Sequence, residues 1–139
     1  MCIRDGLEYE APGIMCVKET KSPVDKIPAS VFADMGWRYM EARGEKGYNG
    51  VAILSRLPLT PIAHVDWVEK GDARHVAARL PDGTAIHNLY VPAGGDEPNV
   101  ETNPKFDHKL RFVDQMAAVF AGQKGDAILV GDLNIAPHE

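Results

Sequence analysis

The stretch Ala127-Ile128-Leu129-Val130-Gly131-Asp132-Leu133-Asn134 decides the interpretation of the chain, because an apolar run changes abruptly into polar residues. Such a run is typical of a buried strand, and the residues that follow it lie where the strand reaches the edge of its sheet. If the backbone stays extended, Asp132 and Asn134 project from one face, since strand side chains alternate. An anionic acceptor then lies beside an amide that can donate to a phosphate oxygen. The pattern favours phosphoester chemistry, although a turn after a core strand would use the same residues.

Three further segments place functional groups near strand ends. Residues 14–21 run from apolar positions to Glu19, residues 47–55 form a glycine-bracketed turn that feeds a strand, and residues 88–92 end a strand with Tyr90. In this order, and together with residues 131–137, they resemble the exonuclease III and abasic-site endonuclease branch of the endonuclease/exonuclease/phosphatase superfamily. The resemblance spans residues 11–139.

This resemblance implies an α/β (α+β) fold that is part of a four-layer αββα sandwich, DNase I-like. Residues 1–139 are predicted to form a single partial domain. Members of the family open with a strand that ends in an active-site asparagine, and they close with a further aspartate and an Asp-His pair. No segment here matches either end, so the N-terminal strand and the C-terminal part are expected to be missing. Such a chain would leave unpaired strand edges and an uncovered apolar face.

Periodicity and turn residues predict the elements between these motifs. Two helices are expected, one over residues 28–35 and one that ends near Gly122. Residues 92–104 are predicted to be a loop. In the second helix, the positions with helical spacing are Phe106, Leu110, Val113, Ala117 and Phe120. The predicted strands cover residues 14–18, 38–42, 51–55, 75–80, 85–91 and 127–130, with Val76, Ala78 and Leu80 alternating as in a half-buried hairpin arm.

The resemblance also implies roles for four residues. Glu19 matches the glutamate that binds Mg²⁺, for which Mn²⁺ can substitute, and Asp132 matches the residue that orients or deprotonates the attacking water. Asn134 matches the partner that positions the phosphate and the aspartate, and Tyr90 matches a tyrosine that hydrogen-bonds the phosphate. Each could instead be a solvent-exposed polar residue at a strand end. If they form one site, the Glu19 and Asp132 carboxylates should lie within roughly 10 Å, about two strand spacings.

Four other residues carry weaker implications. Lys21, Asn49 and Arg74 are candidate DNA contacts, and Lys21 is also expected near Glu19. Lys18 departs from the family pattern, since many relatives have glutamine there. If its side chain turns inward, a cation would lie near the metal and weaken metal binding slightly.

Composition limits the partners. With 139 residues, 45% hydrophobic and 25% charged, the chain is an ordinary globular sequence, and its net charge of -5 argues against a generally basic nucleic-acid binder. Any DNA contact should therefore be local. The chain lacks an apolar stretch of the ~18 residues that a membrane span requires and lacks a signal-peptide pattern, so a cytoplasmic location is expected. Cys2 and Cys16 are expected to be reduced thiols, and none of the five histidines, His138 included, has zinc-ligand spacing.

The resemblance therefore implies a Mg²⁺-dependent DNA repair phosphodiesterase, a 3′ to 5′ exonuclease and abasic-site endonuclease. Its expected partner is double-stranded DNA with abasic sites or 3′ ends, with no membrane partner, and the protein is expected to be a monomer. Because both ends are expected to be missing, the chain alone should cleave abasic DNA very poorly. Two alternatives stay open: a phosphatase or phosphodiesterase acting on inositol phosphates or phospholipids, and a noncatalytic truncated remnant.

Overall fold

The computed structural model describes residues 12–135, so the expectations for Cys2 and His138 lie outside the described residues. Within these described residues, seven strands, two α-helices and two short 3₁₀ helices follow one another. The 3₁₀ helices cover Val24–Lys26 and Trp67–Glu69. The other elements are β1 Ile14–Lys18, α1 Ala29–Asp34, β2 Tyr39–Glu45, β3 Tyr48–Ser55, β4 Thr60–Ile62, β5 His75–Arg79, β6 Ala85–Tyr90, α2 Pro104–Ala121 and β7 Ala127–Asp132.

The strands form two sheets that pack face to face. The first sheet has the antiparallel order β1-β3-β2, and the second has the order β4-β5-β6-β7. In the second sheet β6 and β7 pair in parallel, whereas the other pairs are antiparallel. Val51 and Ile53 of β3 pack against Val76, Ala78 and Ile86 of the other sheet to form the central core. Burying these branched side chains from two sheets is the main force that holds the layers together.

A helix covers the outer face of each sheet. Phe32 of α1 packs with Trp37 and Leu54 on the outer face of the first sheet. Phe112 of α2 packs with Leu89 on the outer face of the second. The order of layers is therefore α1, first sheet, second sheet, α2, and the predicted α/β architecture of the αββα type is confirmed.

The second helix ends where its sequence predicts, and a side-chain cap marks its start. The side chain of Asn103 accepts a hydrogen bond from the backbone N–H of Lys105, Pro104 occupies the first turn, and Gly122 follows the last. The predicted apolar stripe is partly wrong, because Leu110 is 40% exposed while Phe112 is fully buried. Phe112 lies on the packing face because this helix also covers the Trp67 side chain of a 3₁₀ helix, a neighbour that helical spacing alone does not reveal.

Other predicted boundaries shift by a few residues. Strands β2 and β3 extend further toward their shared turn, and the short edge strand β4 was not predicted. The prediction that β5 is a half-buried hairpin arm is wrong: Val76 and Ala78 face the central core, while His75 and Ala77 are buried as well. Both faces of β5 are covered because this sheet lies between the other sheet and α2. Within the described residues, no helix is both long and apolar enough to cross a bilayer.

Strand β7 lies at the edge of the second sheet and exposes apolar side chains. Ile128, Leu129, Leu133 and Ile135 are between 39% and 56% exposed. An uncovered apolar face was expected from the sequence, and among the described residues it is most marked here. The strand is still fixed in register, because its other edge pairs with β6 along its whole length.

Candidate active site

The loop after β1 carries Glu19 and is held by the first residues of β3, which belong to the glycine-bracketed motif. The backbone N–H of Thr20 donates to the carbonyl of Gly50 at 3.3 Å, and that of Lys21 donates to the carbonyl of Asn49 at 2.9 Å. A side chain at Gly50 would clash with the Thr20 hydroxyl, so glycine is required for this close approach. The glycine-bracketed turn, recognised in the sequence as a motif, therefore positions the Glu19 carboxylate.

Asp132 is positioned by parallel pairing at the end of β7. Its register partner on β6 is Tyr90, and the backbone N–H of Val91 donates to its carbonyl at 2.9 Å. Gly131 lies against the backbone of Leu89, where a side chain would clash. The pairing of β6 with β7 therefore places the phenol and the carboxylate side by side at one edge of the sheet.

These strand ends converge. The Tyr90 hydroxyl donates to Glu19 Oε1 at 3.1 Å, and the Lys21 ammonium lies 3.1 Å from Glu19 Oε2. The Lys18 ammonium contacts Asp132 Oδ2 and lies 4.0 Å from Glu19 Oε1. Since one nitrogen lies within 4.0 Å of both carboxylates, their separation cannot exceed twice that distance, which is inside the predicted limit.

Asn134 joins this group through its main chain. Its backbone N–H donates to Asp132 Oδ1 at 3.0 Å, and its side-chain amide donates to the Val91 carbonyl at 2.7 Å. The backbone of Asn134 has a φ of 48°, so the chain turns after Asp132 and is not extended as the alternation argument assumed. Lys109 of α2 fixes this turn by donating to the Asn134 carbonyl. The structure therefore couples Asn134 to the Asp132 carboxylate, while its amide nitrogen is engaged by the protein.

The surrounding charges keep both carboxylates ionised. Hydrogen bonds from Lys21 and then Tyr90 hold the pKa of Glu19 below its usual value. The hydrogen bond from Lys18 likewise lowers the pKa of Asp132, and the same contact raises the pKa of Lys18. Burial, followed by the hydrogen bond to Glu19, raises the pKa of the Tyr90 phenol, so Tyr90 is held as a neutral donor.

Arg74 contacts both the backbone and the ring of Tyr90. Its guanidinium donates to the Tyr90 carbonyl at 3.2 Å and to Asp72 at 3.1 Å, and it lies 5.0 Å from the centre of the Tyr90 ring. The side chain is only 10% exposed. Arg74 is thus placed to position Tyr90 as well as to face a ligand.

A cleft of about 480 Å³ opens beside Tyr90. Three cationic side chains and one acidic side chain line it, so the cleft is locally basic although the whole chain is acidic. Asn49 also lines it, but that residue is 3% exposed and its amide donates to Glu45 at 3.2 Å. Lys21 lies outside this cleft, on the Glu19 loop. The charged residues of the lining are Lys70, Asp72, Arg74 and Lys105.

The backbone of the site is strained. Six residues other than glycine have left-handed backbone angles in the described part of the chain, and four of them are Glu19, Lys21, Asn49 and Asn134. Such conformations cost free energy and persist where the surrounding structure enforces them, commonly at functional sites. Sequence patterns do not signal these conformations, because they depend on the backbone contacts between loops.

Asn88 was not recognised as part of this arrangement from the sequence. It lies on β6 with 1% exposure, and its amide donates at 2.9 Å to the carbonyls of both Val17 and Ala52. It therefore ties the second sheet to the first, two residues before Tyr90. Its position within an apolar strand pattern, two residues before the strand-end phenol, was the signal available in the sequence.

The donor set suits a hard divalent cation. Glu19 and Asp132 provide carboxylate oxygens on two sides of a position that a cationic nitrogen occupies. Mg²⁺ prefers such oxygens, retains several waters and commonly uses only one or two protein carboxylates. Among residues 12–135 there is no group of three His, Cys, Asp or Glu side chains that could hold a metal.

Comparison with known proteins connects this geometry to a family. The profile of the Endonuclease/Exonuclease/phosphatase family matches residues 3–139. Recombination repair protein 1 of Drosophila melanogaster is 28% identical over 145 residues, covering 96% of this chain and 20% of that protein. DNA repair nuclease APEX1 of Danio rerio is 26% identical over 146 residues, covering 98% of this chain and 45% of that protein.

Solved structures that resemble this chain include DNA-processing enzymes by their names. An AP endonuclease from Archaeoglobus fulgidus matches with a TM-score of 0.85 and 28% identity, over 98% of this chain and 52% of that one. The 3′ phosphatase NExo from Neisseria, bound to a product DNA hairpin, matches with a TM-score of 0.83 and 28% identity, over 99% and 53% of the two chains. The chain therefore spans about half the length of these structures and less than half that of the two curated relatives.

Proposed function

Because the chain belongs to the endonuclease/exonuclease/phosphatase family, as its four motifs predicted, we propose that Glu19, Tyr90, Asp132 and Asn134 contribute to the active site of a metal-dependent DNA phosphodiesterase. The observation that carries this proposal is the convergence of Glu19, Tyr90 and Asp132 from three strand ends in the two sheets. The Lys18 ammonium lies within 4.0 Å of both carboxylates, and the Tyr90 hydroxyl donates to Glu19. Unrelated polar residues at strand ends would face different solvent surfaces.

Each residue has a chemical task that its environment supports. Asp132 is ionised in the structure, since its pKa is held below the usual value, so its carboxylate can accept a proton from an attacking water. The neutral Tyr90 phenol can donate to a phosphoryl oxygen, and Asn134 restrains Asp132 through its backbone N–H. Glu19, with Asp132 nearby, would hold Mg²⁺ or Mn²⁺. The bound cation would supply charge to offset the phosphoryl oxygens.

The proposed substrate is double-stranded DNA, cut beside abasic sites or degraded from 3′ ends. One relative is named a DNA repair nuclease, another is named a recombination repair protein, and one similar structure holds a DNA hairpin. The locally basic cleft beside Tyr90 supports contact with a phosphate backbone despite the acidic net charge. A monomeric state, a cytoplasmic location and the absence of a membrane partner stay predictions.

The test uses the complete product of the gene that encodes this chain. Strand nicking is measured with Mg²⁺ on a duplex that carries one abasic site, for the wild type, Asp132→Asn and the matched control Asp126→Asn, whose carboxylate is exposed. We expect Asp132→Asn to lower kcat by about 10² to 10⁴, because the size is kept while the proton acceptor is removed. DNA affinity should not weaken, and Asp126→Asn should behave like the wild type.

Three outcomes would contradict the proposal. If Asp132→Asn keeps kcat and only weakens DNA binding, the role assigned to Asp132 is wrong. If the protein turns over an inositol phosphate or a phospholipid faster than abasic DNA, recessed 3′ ends or 3′-phosphates, the alternative substrate class is correct. Equal, background rates for the wild type and Asp132→Asn on every substrate would favour a noncatalytic remnant.

A further inference from the structure

Lys18 places a positive charge inside the candidate site. Its ammonium donates to Asp132 Oδ2, lies 4.0 Å from Glu19 Oε1 and lies 5.5 Å from the centre of the Tyr90 ring. Lys18 and Asp132 are 114 residues apart in the sequence, so this contact is made by the fold and not by chain proximity. The ammonium is the group that bridges the two carboxylates.

The alternation of β1 explains why this side chain turns inward. Ile14 and Cys16 pack against the central core between the sheets, whereas Met15 and Val17 pack on the outer face. Lys18 is next in the series and therefore shares the inward face with Ile14 and Cys16. At the end of the strand, this direction leads to the end of β7 and to Asp132.

We propose that Lys18 is a built-in competitor for the divalent cation, an inference that rests on the proposed metal site. The same two carboxylates that would attract Mg²⁺ already share one ammonium, and a divalent cation placed near that ammonium would be repelled by it. Metal binding therefore requires Lys18 to leave its contact with Asp132. The protein consequently needs a higher concentration of divalent cation than it would with a neutral residue at this position.

Lys21 provides a contrast within the same site. Its ammonium lies 3.1 Å from Glu19 Oε2, and among the described residues Glu19 is the one carboxylate with which it forms an ion pair. Lys21 also sits on the loop after β1, held through its backbone by Asn49. It is a cation beside one carboxylate, whereas Lys18 is a cation between two. If the position of the ammonium decides the competition, and not its charge alone, removing the Lys21 charge will tighten metal binding less than removing the Lys18 charge.

The experiment measures binding of Mn²⁺ by electron paramagnetic resonance, in the absence of DNA, for the full chain. Lys18→Gln should tighten Mn²⁺ binding by about threefold to tenfold, the range expected when one or two exposed ion pairs no longer have to be broken. Lys18→Arg keeps the charge and should bind Mn²⁺ like the wild type. The matched control Lys26→Gln removes an equal charge from an exposed lysine paired with Asp25, and it should change nothing.

Different results would refute the competition and the metal site. The competition is refuted if Lys18→Gln leaves the Mn²⁺ Kd unchanged or weaker, or if Lys21→Gln or Lys26→Gln tightens binding as much. The metal site itself is refuted if Glu19→Gln binds Mn²⁺ as tightly as the wild type. If Lys18→Gln does not fold, tighter binding by Lys18→Arg than by the wild type would also refute the competition, because the charge is retained there.

Discussion

A buried pair of histidines should make the protein sensitive to mild acid. His75 and His87 lie on neighbouring strands, with parallel rings 5.3 Å apart and His75 Nε2 3.1 Å from His87 Nδ1. His75 Nδ1 accepts a hydrogen bond from the backbone N–H of Val65 at 3.0 Å. The neutral ring therefore carries its proton on Nε2 and donates it to His87. A second proton on His75 would require the Val65 N–H to lose its acceptor.

The size of the stability loss in acid follows from the pKa of His75. Burial, with smaller contributions from His87, Arg43 and His64, lowers this pKa from 6.5 to about 3. Above pH 6.5 the ring is neutral in both states, so stability does not change through this group. Below pH 6.5 the unfolded chain binds a proton that the folded protein does not, so the free energy of unfolding falls as pH falls, by about 1.4 kcal/mol per pH unit. The loss through His75 alone is about 2 kcal/mol at a pH of about 5.

The assay is chemical denaturation at a series of pH values between about 7 and about 5, above the range where carboxylates titrate. Burial also lowers the pKa values of His87 and His108, and both changes add to the slope with the same sign. The contribution of His75 is therefore isolated by His75→Gln, whose amide can still donate to His87. This variant should lose the dependence on pH that one bound proton causes, about 1.4 kcal/mol per pH unit. A slope that is flat in the wild type, or unchanged in His75→Gln, would refute the reasoning.

Three further predictions concern single positions. Gly131→Ala should lower the free energy of unfolding by more than about 2 kcal/mol, because its φ is 127° and the new side chain would clash with the backbone of β6. Gly83→Ala, with a φ of 92° but open space around it, should cost only about 1 kcal/mol in the same denaturation experiment, and equal losses would contradict the clash. In the complete product of the gene, Tyr90→Phe should lower kcat on abasic DNA by about 10-fold to 100-fold and leave the thermal midpoint nearly unchanged, and an unchanged kcat would show that the hydroxyl has no role in the reaction. Burial raises the pKa of Cys16 to about 11, so with the other cysteine replaced by serine, iodoacetamide should modify the native protein at least about 100-fold more slowly than the unfolded chain, and equal rates would show that the thiol is accessible.

Much of the candidate site could be predicted because strand ends have clear local signals. The apolar runs before Glu19 and Asp132 and the apolar residues around Tyr90 mark strands, and polar groups at their ends are visible in the sequence. That these ends meet is a property of sheet order, which the motif order suggested through family resemblance. The four-layer arrangement could be predicted for the same reason.

The parts that could not be predicted depend on contacts between distant segments. Asn134 leaves the extended conformation because its backbone bonds the Asp132 side chain and Lys109 bonds its carbonyl. The covered second face of β5 depends on α2, and alternation alone gave no sign that His75 would be buried as fully as Val76. Periodicity measures one element at a time, and these features belong to pairs of elements.

The parallel pairing of β6 and β7 has a consequence for the order in which the site is assembled during synthesis. Glu19 and Tyr90 leave the ribosome well before Asp132, and the strand that carries Asp132 pairs with β6 only after α2 has been made. A nascent chain can therefore form the first sheet and most of the second while it still lacks the carboxylate proposed to act as the base. Any contribution of Asp132 to catalysis can therefore begin only after β7 has paired with β6.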